Sequence, residues 1–364
     1  MSIKNIFDEI VSFENLLNAE KEVGSGKKGL KPEALMFRAD LENNLFELQE
    51  HMMNLKPPEP KYHTFYVYEP KVRKVIDIDY KNKVIQRAIY DVVNPLVSKG
   101  FITDTFSCIK GRGQFAAMKR VYEWEKYVSR KSGKWFYLKT DVAKFFYRIP
   151  HDKLCKVVDK KIGDKRAAAL IKFYIQNNSV PFGLPLDGSP LTTPTEEMLW
   201  EIGIAIGGDL SHMLGNMYFD VADQYIKRDL GVDFYARYMD DGTILSDSKP
   251  QLHTWHKKID EFLNSELQLT LNNKTMICPI DRGMEWVGFR VWPTHVTIRK
   301  STSLRMKRRL RLRQKQYAAG EVTLKKVTET VSSYKALMKQ CDCHRLDQKI
   351  FSDFVLTRNA EGGM

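Results

Sequence analysis

Residues 234–245 read Phe234-Tyr235-Ala236-Arg237-Tyr238-Met239-Asp240-Asp241-Gly242-Thr243-Ile244-Leu245. Apolar residues flank the acidic pair on both sides, and Asp-Gly between two such runs is a strong signal for a β-hairpin. The segment therefore predicts two strands with Asp240 and Asp241 at the turn. By itself an Asp-Asp-Gly turn indicates little about function, because Asp-Gly is a common hairpin turn.

A third carboxylate follows another apolar run, 99 residues before Asp240. The run Phe136-Tyr137-Leu138-Lys139-Thr140 ends in Asp141, as a buried strand that carries an acid to the edge of a sheet would. Phosphoryl transfer with a hydroxyl nucleophile uses two divalent ions about 3.5 to 4 Å apart. Because Mg2+ takes oxygen ligands, carboxylates from different strands must converge on one sheet edge. Asp141, Asp240 and Asp241 predict such a site.

Composition favours a folded globular protein with a polyanionic partner. The 364 residues are 43% hydrophobic and 28% charged, and 58 Lys and Arg against 45 Asp and Glu give a formal charge of +13. Nucleic acid is therefore the first partner to consider. No run of about 18 apolar residues occurs, which predicts a cytoplasmic protein without a membrane partner. The five cysteines are scattered and odd in number, so neither a disulfide framework nor a four-ligand zinc site is indicated.

Four further segments are distinctive in the sequence. Residues 64–76 predict a basic hairpin with Pro70 at its turn. Gly24 to Gly29 superficially resembles a phosphate loop, but it lacks the leading glycine and the Ser or Thr after Lys, so a flexible linker is predicted. Lys110 to Gly113 reads either as a basic loop or as an ordinary turn. Residues 299–326 carry eleven Lys and Arg against one acid, which favours phosphate contact over a merely solvated face.

The spelling Tyr238-Met239-Asp240-Asp241 resembles the hallmark of reverse transcriptases, and the order of elements is similar to theirs from about residue 6 to about residue 350. Asp141-Val142-Ala143-Lys144-Phe145-Phe146 resembles the first palm motif of that family. The resemblance implies that Asp141 is a metal ligand with Val142 beside it in the metal site. It places Phe146 at the position that selects the sugar, where an aromatic ring would clash with a 2′-hydroxyl. Phe145 is expected to face the core, since neighbours on a strand point opposite ways.

The resemblance also implies a set of nucleotide and nucleic-acid contacts. Leu271-Asn272-Asn273-Lys274-Thr275 resembles the motif after the catalytic hairpin, and residues 286–291 resemble the hairpin that grips the primer. The implied nucleotide-binding residues are Lys71, Arg73, Lys83, Phe146, Gly207 and Lys274. The implied nucleic-acid-binding residues are Lys110, Arg112, Ser211, His212, Arg299, Lys300, Arg305, Lys307, Arg308 and Arg309.

Within the superfamily, the chain resembles the reverse transcriptases of diversity-generating retroelements. The signatures that carry this resemblance are Ser12 to Leu17, Val67 to Lys71 with Arg73, Lys110 to Gly113, Ile206-Gly207 with Ser211, Trp292 to His295, and Arg299-Lys300-Ser301. The chain departs from that pattern at His212 and Ala205 and in a longer loop, residues 177–201. Antiphage-defence reverse transcriptases, which often work with a noncoding RNA or an accessory protein, depart in similar ways and remain the alternative.

The expected fold is mixed α/β (α+β), a right-hand polymerase. It comprises a helical amino extension (1–54), fingers and palm (55–295), and a thumb with carboxy-terminal helices (296–364). The expected activity is RNA-directed DNA synthesis, in which a primer 3′-hydroxyl attacks the α-phosphate of a deoxynucleoside triphosphate on an RNA template to yield cDNA. Two Mg2+ ions, for which Mn2+ can substitute, are expected on Asp141 and Asp240, with Asp241 the weaker ligand. An RNA-dependent RNA polymerase and a catalytically silent nucleic-acid-binding relative are the rival classes.

Overall fold

The computed structural model describes residues 2–68, 72–352 and 354–358, except for the side chain of Arg73. The chain divides into two compact units. The first comprises residues 1–113, 139–244 and 253–276, and the second comprises residues 114–138, 245–252 and 277–364, within the described ranges. Both units mix helices with short sheets.

The helices occur in this order: α1 (Phe7–Ile10), α2 (Phe13–Val23), α3 (Pro32–Ala39), α4 (Leu41–Met53), α5 (Tyr80–Val97), α6 (Gln114–Val128), α7 (Phe145–Arg148), α8 (His151–Lys161), α9 (Lys165–Gln176), α10 (Asp209–Gln224), α11 (Lys249–Leu267), α12 (Lys300–Ala318), α13 (Leu324–Met338) and α14 (His344–Phe351). The strands are β1 (Tyr62–Val67), β2 (Arg73–Ile78), β3 (Phe136–Asp141), β4 (Tyr235–Tyr238), β5 (Asp241–Ser246), β6 (Met276–Pro279), β7 (Met284–Trp286), β8 (Phe289–Val291) and β9 (Val296–Ile298). Within the described part of the chain, no helix combines the length and hydrophobicity that a bilayer span requires.

Helix starts follow local capping chemistry. The side chain of Ser12 accepts a hydrogen bond from the Asn15 amide at the start of α2, and Asp79 accepts one from Asn82 at the start of α5. Such caps satisfy amide groups that have no partner inside the helix. Asp164 caps α9 and also accepts hydrogen bonds from the amides of Ile6 and Phe7. This one carboxylate therefore joins the start of the chain to α9 within the first unit.

Most of the first unit is helical, and it also contains the β1–β2 sheet and the acid-bearing strand ends of a second sheet. Helix α5 packs against α2 and α10, and its buried face includes Ile85 and Ile89. Strands β1 and β2 pair antiparallel with Val67 opposite Arg73, so the predicted basic hairpin is confirmed. The predicted turn residue Pro70 lies outside the described residues. The other sheet has the strand order β4-β5-β3-β6 and carries the predicted acids.

The prediction of a flexible linker at Gly24 to Gly29 was wrong. Residues Gly26–Leu30 form a 3-10 helix. A side chain at Gly29 would collide with the Gly24 carbonyl oxygen, since a Cβ there would lie 2.2 Å from it. The Arg38 guanidinium donates to that same carbonyl and to the buried carboxylate of Glu20. Tertiary contacts with Arg38 therefore order a segment whose composition alone is typical of a linker.

The second unit contains a small sheet and the carboxy-terminal helices. Strands β7, β8 and β9 pair antiparallel in sequence order, α6 packs against β8, and α12 packs against α13. The indole of Trp286 is 1% exposed and donates to the carbonyl of Ala117 at 3.0 Å. Because a buried indole N–H needs an acceptor, this bond fixes how α6 lies on the sheet.

Glu125 is an unusual member of the core of this unit. It lies on α6 with 0% exposure, and neither of its carboxyl oxygens has a hydrogen-bond partner among the described residues. Burial raises the pKa of Glu125 to about 9. A carboxyl group whose folded-state pKa is raised favours the folded state at low pH. The folded state then loses stability as the pH rises from the ordinary pKa towards 9, because the unfolded chain ionises first.

We expect Glu125→Gln to raise the free energy of unfolding by about 4 kcal/mol at pH 7.5 and by only about 1 kcal/mol at pH 5. Denaturant unfolding at both pH values, followed by circular dichroism, measures the effect. Glu123→Gln, on an exposed position of the same helix, is the matched control and should show no such pH dependence. Equal pH profiles for the wild type and Glu125→Gln would contradict the burial of an uncompensated acid.

Candidate active site

The β4–β5 hairpin presents the acidic pair, but its turn is not where the sequence predicts it. Tyr238 pairs with Asp241, so the two turn residues are Met239 and Asp240, and Asp241 already begins β5. Met239 has a φ of +59°, in the left-handed region that a residue with a side chain rarely adopts. The prediction that both acids occupy the turn was therefore wrong by one residue, because cross-strand pairing rather than Asp-Gly chemistry sets the register.

Gly242 has a role that its turn propensity did not suggest. A Cβ at Gly242 would lie 2.5 Å from the side-chain oxygen of Thr140. Glycine is therefore required here for close approach of β5 to β3, which are neighbours in the sheet. Since Thr140 directly precedes Asp141, this contact places Asp141 on the strand next to the one that Asp241 begins.

All three carboxylates are half-buried rather than sealed in the core. The Lys139 ammonium lies 3.9 Å from an Asp241 carboxyl oxygen. A partly exposed pair at that separation contributes little to stability but neutralises one of three neighbouring negative charges. Among residues 2–68, 72–352 and 354–358, no three His, Cys, Asp or Glu side chains stand close enough together to hold a metal ion. Carboxylate oxygens at the ends of adjacent strands are suitable ligands for a hard divalent cation. In their present conformations, however, the three side chains do not surround a cation.

The loop after α11 is attached directly to the first acidic motif. The Asn272 amide donates to the carbonyl of Asp141 at 2.7 Å, and the Ala143 amide donates to the carbonyl of Thr270 at 2.9 Å. Lys274, whose side chain is exposed, follows two residues after Asn272. The structure therefore brings the predicted Lys274 segment to the strand end that carries Asp141 and Val142. Val142 itself is 3% exposed.

Phe146 lies on a helical turn, not on the predicted strand. Lys144 has a φ of +51°, and α7 then begins at Phe145. Phe145 is buried as expected, but the stated reason, alternation along a strand, was wrong because the chain leaves β3 at Asp141. The Phe146 ring is half-buried, with its centroid 5.7 Å from that of His212 in an edge-to-face arrangement.

A small residue on α10 accommodates the two phenylalanine rings. A Cβ at Gly215 would lie 3.2 Å from a ring carbon of Phe145 and equally close to one of Phe146. Burial lowers the pKa of His212, although the Asp209 carboxylate opposes that shift, so the imidazole is neutral at neutral pH. The Phe146 ring is thus held by Phe145, His212 and the groove that Gly215 leaves open.

A cavity of about 220 Å3 brings several predicted residues together in the first unit. Its lining includes Lys83, Arg87, Gly207, Gly208 and Ser211. Lys83 forms an ion pair with Asp77 at 2.8 Å, and Arg87 pairs with Asp91 and Asp209. Gly207 has a φ of +130°, and a Cβ there would lie 3.3 Å from a methyl group of Val75 on β2. The predicted Lys83, Gly207 and Ser211 therefore share one site.

Other predicted contacts lie elsewhere or cannot be placed. Lys71 lies outside the described residues, and for Arg73 only the backbone, at the start of β2, is described. Lys110 is exposed, whereas the Arg112 guanidinium donates to the carbonyls of Ile102 and Thr105.

The predicted cations of residues 299–309 lie at and within α12 in the second unit. Arg299 immediately precedes α12 and lies 3.7 Å from Glu285. Thr302, Met306 and Leu310 form the buried stripe of the helix. The cations on the remaining faces are exposed or half-buried, namely Lys300, Arg305, Lys307, Arg308 and Arg309.

Arg237 and Asp223 were missed at the sequence level. Both side chains have 0% exposure, and a guanidinium nitrogen of Arg237 lies 2.8 Å from an Asp223 carboxyl oxygen. Arg237 stands between apolar residues on a predicted strand, but no sequence signal joins it to an acid on a helix. Only the packing of α10 against β4 reveals the pair.

A comparison with protein families then decides the class. The family described as reverse transcriptase (RNA-dependent DNA polymerase) matches residues 68–291, more than half of the chain. The chain belongs to the reverse transcriptase family. Its mixed helix and sheet fold is the one expected from the sequence, and members of this family use divalent metal ions.

This reverse transcriptase family member is similar to two known proteins at low sequence identity. Protein YkfC of Escherichia coli (strain K12) is 22% identical over 244 residues, which are 58% of this chain and 61% of that protein. The chain thus spans about three fifths of the length of this curated relative. Telomerase from Candida albicans, solved in complex with the TWJ fragment of telomeric RNA, is similar with a TM-score of 0.49 and 11% identity, over 88% of this chain and 59% of that one.

Proposed function

We propose that this chain is an RNA-directed DNA polymerase that transfers a deoxynucleotide from a triphosphate to a primer 3′-hydroxyl on an RNA template. One observation carries the proposal: Asp141 ends β3, the Asp240-Asp241 pair lies where the neighbouring strand β5 begins, and Thr140 and Gly242 are in close contact between these two strands. Phosphoryl transfer with two metal ions requires carboxylates that lie together, and two neighbouring strands that carry aspartates at the same sheet edge provide them. Membership of the reverse transcriptase family supports the same activity.

We assign the divalent ions to Asp141 and Asp240, with the main chain at Val142 as an additional oxygen donor. Mg2+ is the expected ion, and Mn2+ is expected to replace it because both take carboxylate and carbonyl ligands. When bound, such ions lower the pKa of the attacking hydroxyl and neutralise developing charge on the phosphate. Asp241 is the weaker ligand, since Lys139 already lies 3.9 Å from its carboxylate.

We assign the nucleotide contacts to residues of the first unit and the nucleic-acid contacts to the cations of α12. Lys83 and Gly207 line the cavity of the first unit, and Lys274 follows two residues after Asn272, whose amide donates to the carbonyl of Asp141. Lys71 and Arg73 are assigned to the triphosphate from resemblance alone. The cations of α12 suit the phosphate backbone of a template and primer duplex, because clustered Lys and Arg bind phosphate without regard to sequence.

We infer further that the enzyme belongs to the diversity-generating retroelement type. Its support is the set of sequence signatures at Ser12 to Leu17, Lys110 to Gly113 and Trp292 to His295. The antiphage-defence type, with a noncoding RNA or accessory protein as partner, is the alternative, and the departures at Ala205, His212 and residues 177–201 favour it. Sequencing the nucleic acid that co-purifies with the protein separates the two, because each type uses a different template RNA.

Primer extension tests the activity directly. The purified protein is expected to extend a DNA primer on a heteropolymeric RNA template with deoxynucleotides and Mg2+, and to use ribonucleotides far less well. Efficient ribonucleotide incorporation would identify an RNA polymerase instead. Tight RNA binding without extension in Mg2+ or Mn2+, on either an RNA or a DNA primer, would identify a catalytically silent relative.

A further inference from the structure

One hydrogen bond joins a buried guanidinium to the main chain of the catalytic turn. Nη1 of Arg237 donates to the carbonyl oxygen of Met239 at 2.8 Å. Met239 is the turn residue with a φ of +59°, a conformation that costs free energy unless surrounding contacts hold it. The peptide that follows this carbonyl belongs to Asp240, so the bond acts one residue from the proposed metal ligand.

Asp223 fixes the other side of the same guanidinium. Nε of Arg237 donates to the two carboxyl oxygens of Asp223 at 2.9 and 2.8 Å, and Nη2 lies 2.8 Å from the second oxygen. The Tyr235 hydroxyl donates to the first oxygen at 2.7 Å and the Thr105 hydroxyl to the second at 3.2 Å. Burial raises the pKa of Asp223, and pairing with Arg237 and Tyr235 opposes that rise. A planar guanidinium held in this way has a fixed direction for its remaining donor.

Asn216 orients the donor that reaches the turn. Nη1 of Arg237 also donates to the Asn216 side-chain oxygen at 3.0 Å, and the Asn216 amide group donates to the carbonyl of Ser107 at 2.8 Å. The Phe219 ring centroid lies 4.8 Å from the guanidinium carbon. Three residues of α10 therefore hold Arg237, so α10, whose first turn lines the cavity of the first unit, also determines where the turn lies.

Stability alone is a weak reason for burying such a pair. Replacing a buried ion pair with apolar residues of similar volume is often neutral for folding, since desolvation offsets the attraction. The main-chain group to which the Arg237 guanidinium donates is the carbonyl of Met239. We propose that Arg237, aligned by Asp223 and Asn216, is a positioning residue that fixes the Met239–Asp240 turn and thereby the carboxylates of Asp240 and Asp241. Its kinetic consequence rests on the proposed polymerase function.

The Arg237→Lys variant provides the test. Lysine keeps the positive charge next to Asp223. It lacks the planar guanidinium group that donates to the Asp223 carboxylate and to the Met239 carbonyl at the same time. Hydrogen exchange in a peptide covering residues 238–242 is expected to become at least about fivefold faster, the effect of losing one hydrogen bond of ordinary net strength. The kcat of primer extension is expected to fall about ten- to a hundredfold, because small misplacements of catalytic groups cost that much. The KM for the deoxynucleotide should stay within about twofold, because its contacts lie elsewhere.

Two further variants separate positioning from folding. Ile171→Ala removes packing from a fully buried site on α9 in the same unit, which contributes no proposed site residue, so it should lower the melting temperature without changing the turn peptide or kcat. Asp223→Leu combined with Arg237→Met removes both charges at once. We expect it to retain a cooperative melt and still show the faster exchange and the lower kcat. Unchanged hydrogen exchange at residues 238–242 in either Arg237 variant would overturn the inference. So would a loss of kcat in Ile171→Ala as large as the loss in Arg237→Lys.

The two readouts also distinguish this inference from the proposed function. If the wild type makes no DNA, the polymerase proposal fails, while the exchange of the turn peptide still decides whether Arg237 positions the turn. If the wild type makes DNA and Arg237→Lys changes neither exchange nor kcat, the polymerase proposal stands and the positioning role is wrong.

Discussion

Replacing Asp240 with alanine is expected to lower the rate of DNA synthesis by at least about a thousandfold. A divalent ion supplies several kcal/mol of transition-state stabilisation, and each 1.4 kcal/mol or so changes a rate tenfold. Loss of its carboxylate ligand removes much of that stabilisation. Asp241→Ala is expected to lose synthesis as well, since its carboxylate begins β5 beside the same site. Single-turnover primer extension in Mg2+ measures both variants.

RNA binding by the Asp240→Ala variant should survive, because affinity for nucleic acid depends on positive charge located elsewhere. Fluorescence anisotropy with a labelled RNA and DNA duplex is expected to give a Kd within about threefold of that of the wild type. Asp247→Ala is the matched control, because Asp247 is an exposed aspartate just beyond the far end of β5. Full synthesis by Asp240→Ala, or an equal loss in Asp247→Ala, would refute the assignment of the metal site.

Replacing Phe146 with alanine is expected to reduce discrimination against ribonucleotides by about a hundredfold, the range that one steric contact in a substrate pocket provides. The physical reason is the position of the ring. It is held edge-on by His212 and fits into the space beside Gly215, so it cannot easily move aside for a 2′-hydroxyl. The ratio of kcat/KM for a deoxynucleotide to that for the matching ribonucleotide measures the effect.

Phe146→Tyr is the matched control for this prediction, because it retains the ring and should retain the discrimination. The Phe146→Ala variant should still incorporate deoxynucleotides, since the proposed metal ligands on β3 and in the β4–β5 turn are unchanged. An unchanged ratio in Phe146→Ala would show that another residue selects the sugar. If Phe146→Ala incorporated no nucleotide at all, the ring would be needed for the structure of the active site and not for discrimination between the two sugars.

The features predicted correctly from the sequence are those set by neighbours along the chain. Runs of strand-forming or apolar residues on either side of turn residues predicted the β1–β2 and β4–β5 hairpins, and both pairs form. A run of strand-forming residues predicted β3, which ends at Asp141. The dense cations after Arg299 fall on a helix with one buried stripe, which leaves most of them facing water.

The errors arose where contacts distant in sequence override local preference. Asp-Gly chemistry predicted the wrong turn register, because Tyr238 pairs with Asp241 and Gly242 is needed against Thr140. Strand alternation gave the wrong account of Phe145, because the chain enters α7 there. The glycine-rich segment after residue 24 is ordered by Arg38, which lies fourteen residues beyond Gly24.

Local chemistry by itself thus determined that Asp141 would end a strand, that a hairpin would carry Asp240 and Asp241, and that a dense run of cations would follow, because hydrogen-bonding patterns and side-chain properties act over a few residues. Tertiary structure alone decided that Met239 takes the strained turn position, that Arg237 pairs with Asp223, and that Glu125 is buried without a partner. Burial and the pairing of distant charges depend on which surfaces meet when the chain packs. The residues on those surfaces are far apart in the sequence and come into contact only in the folded chain.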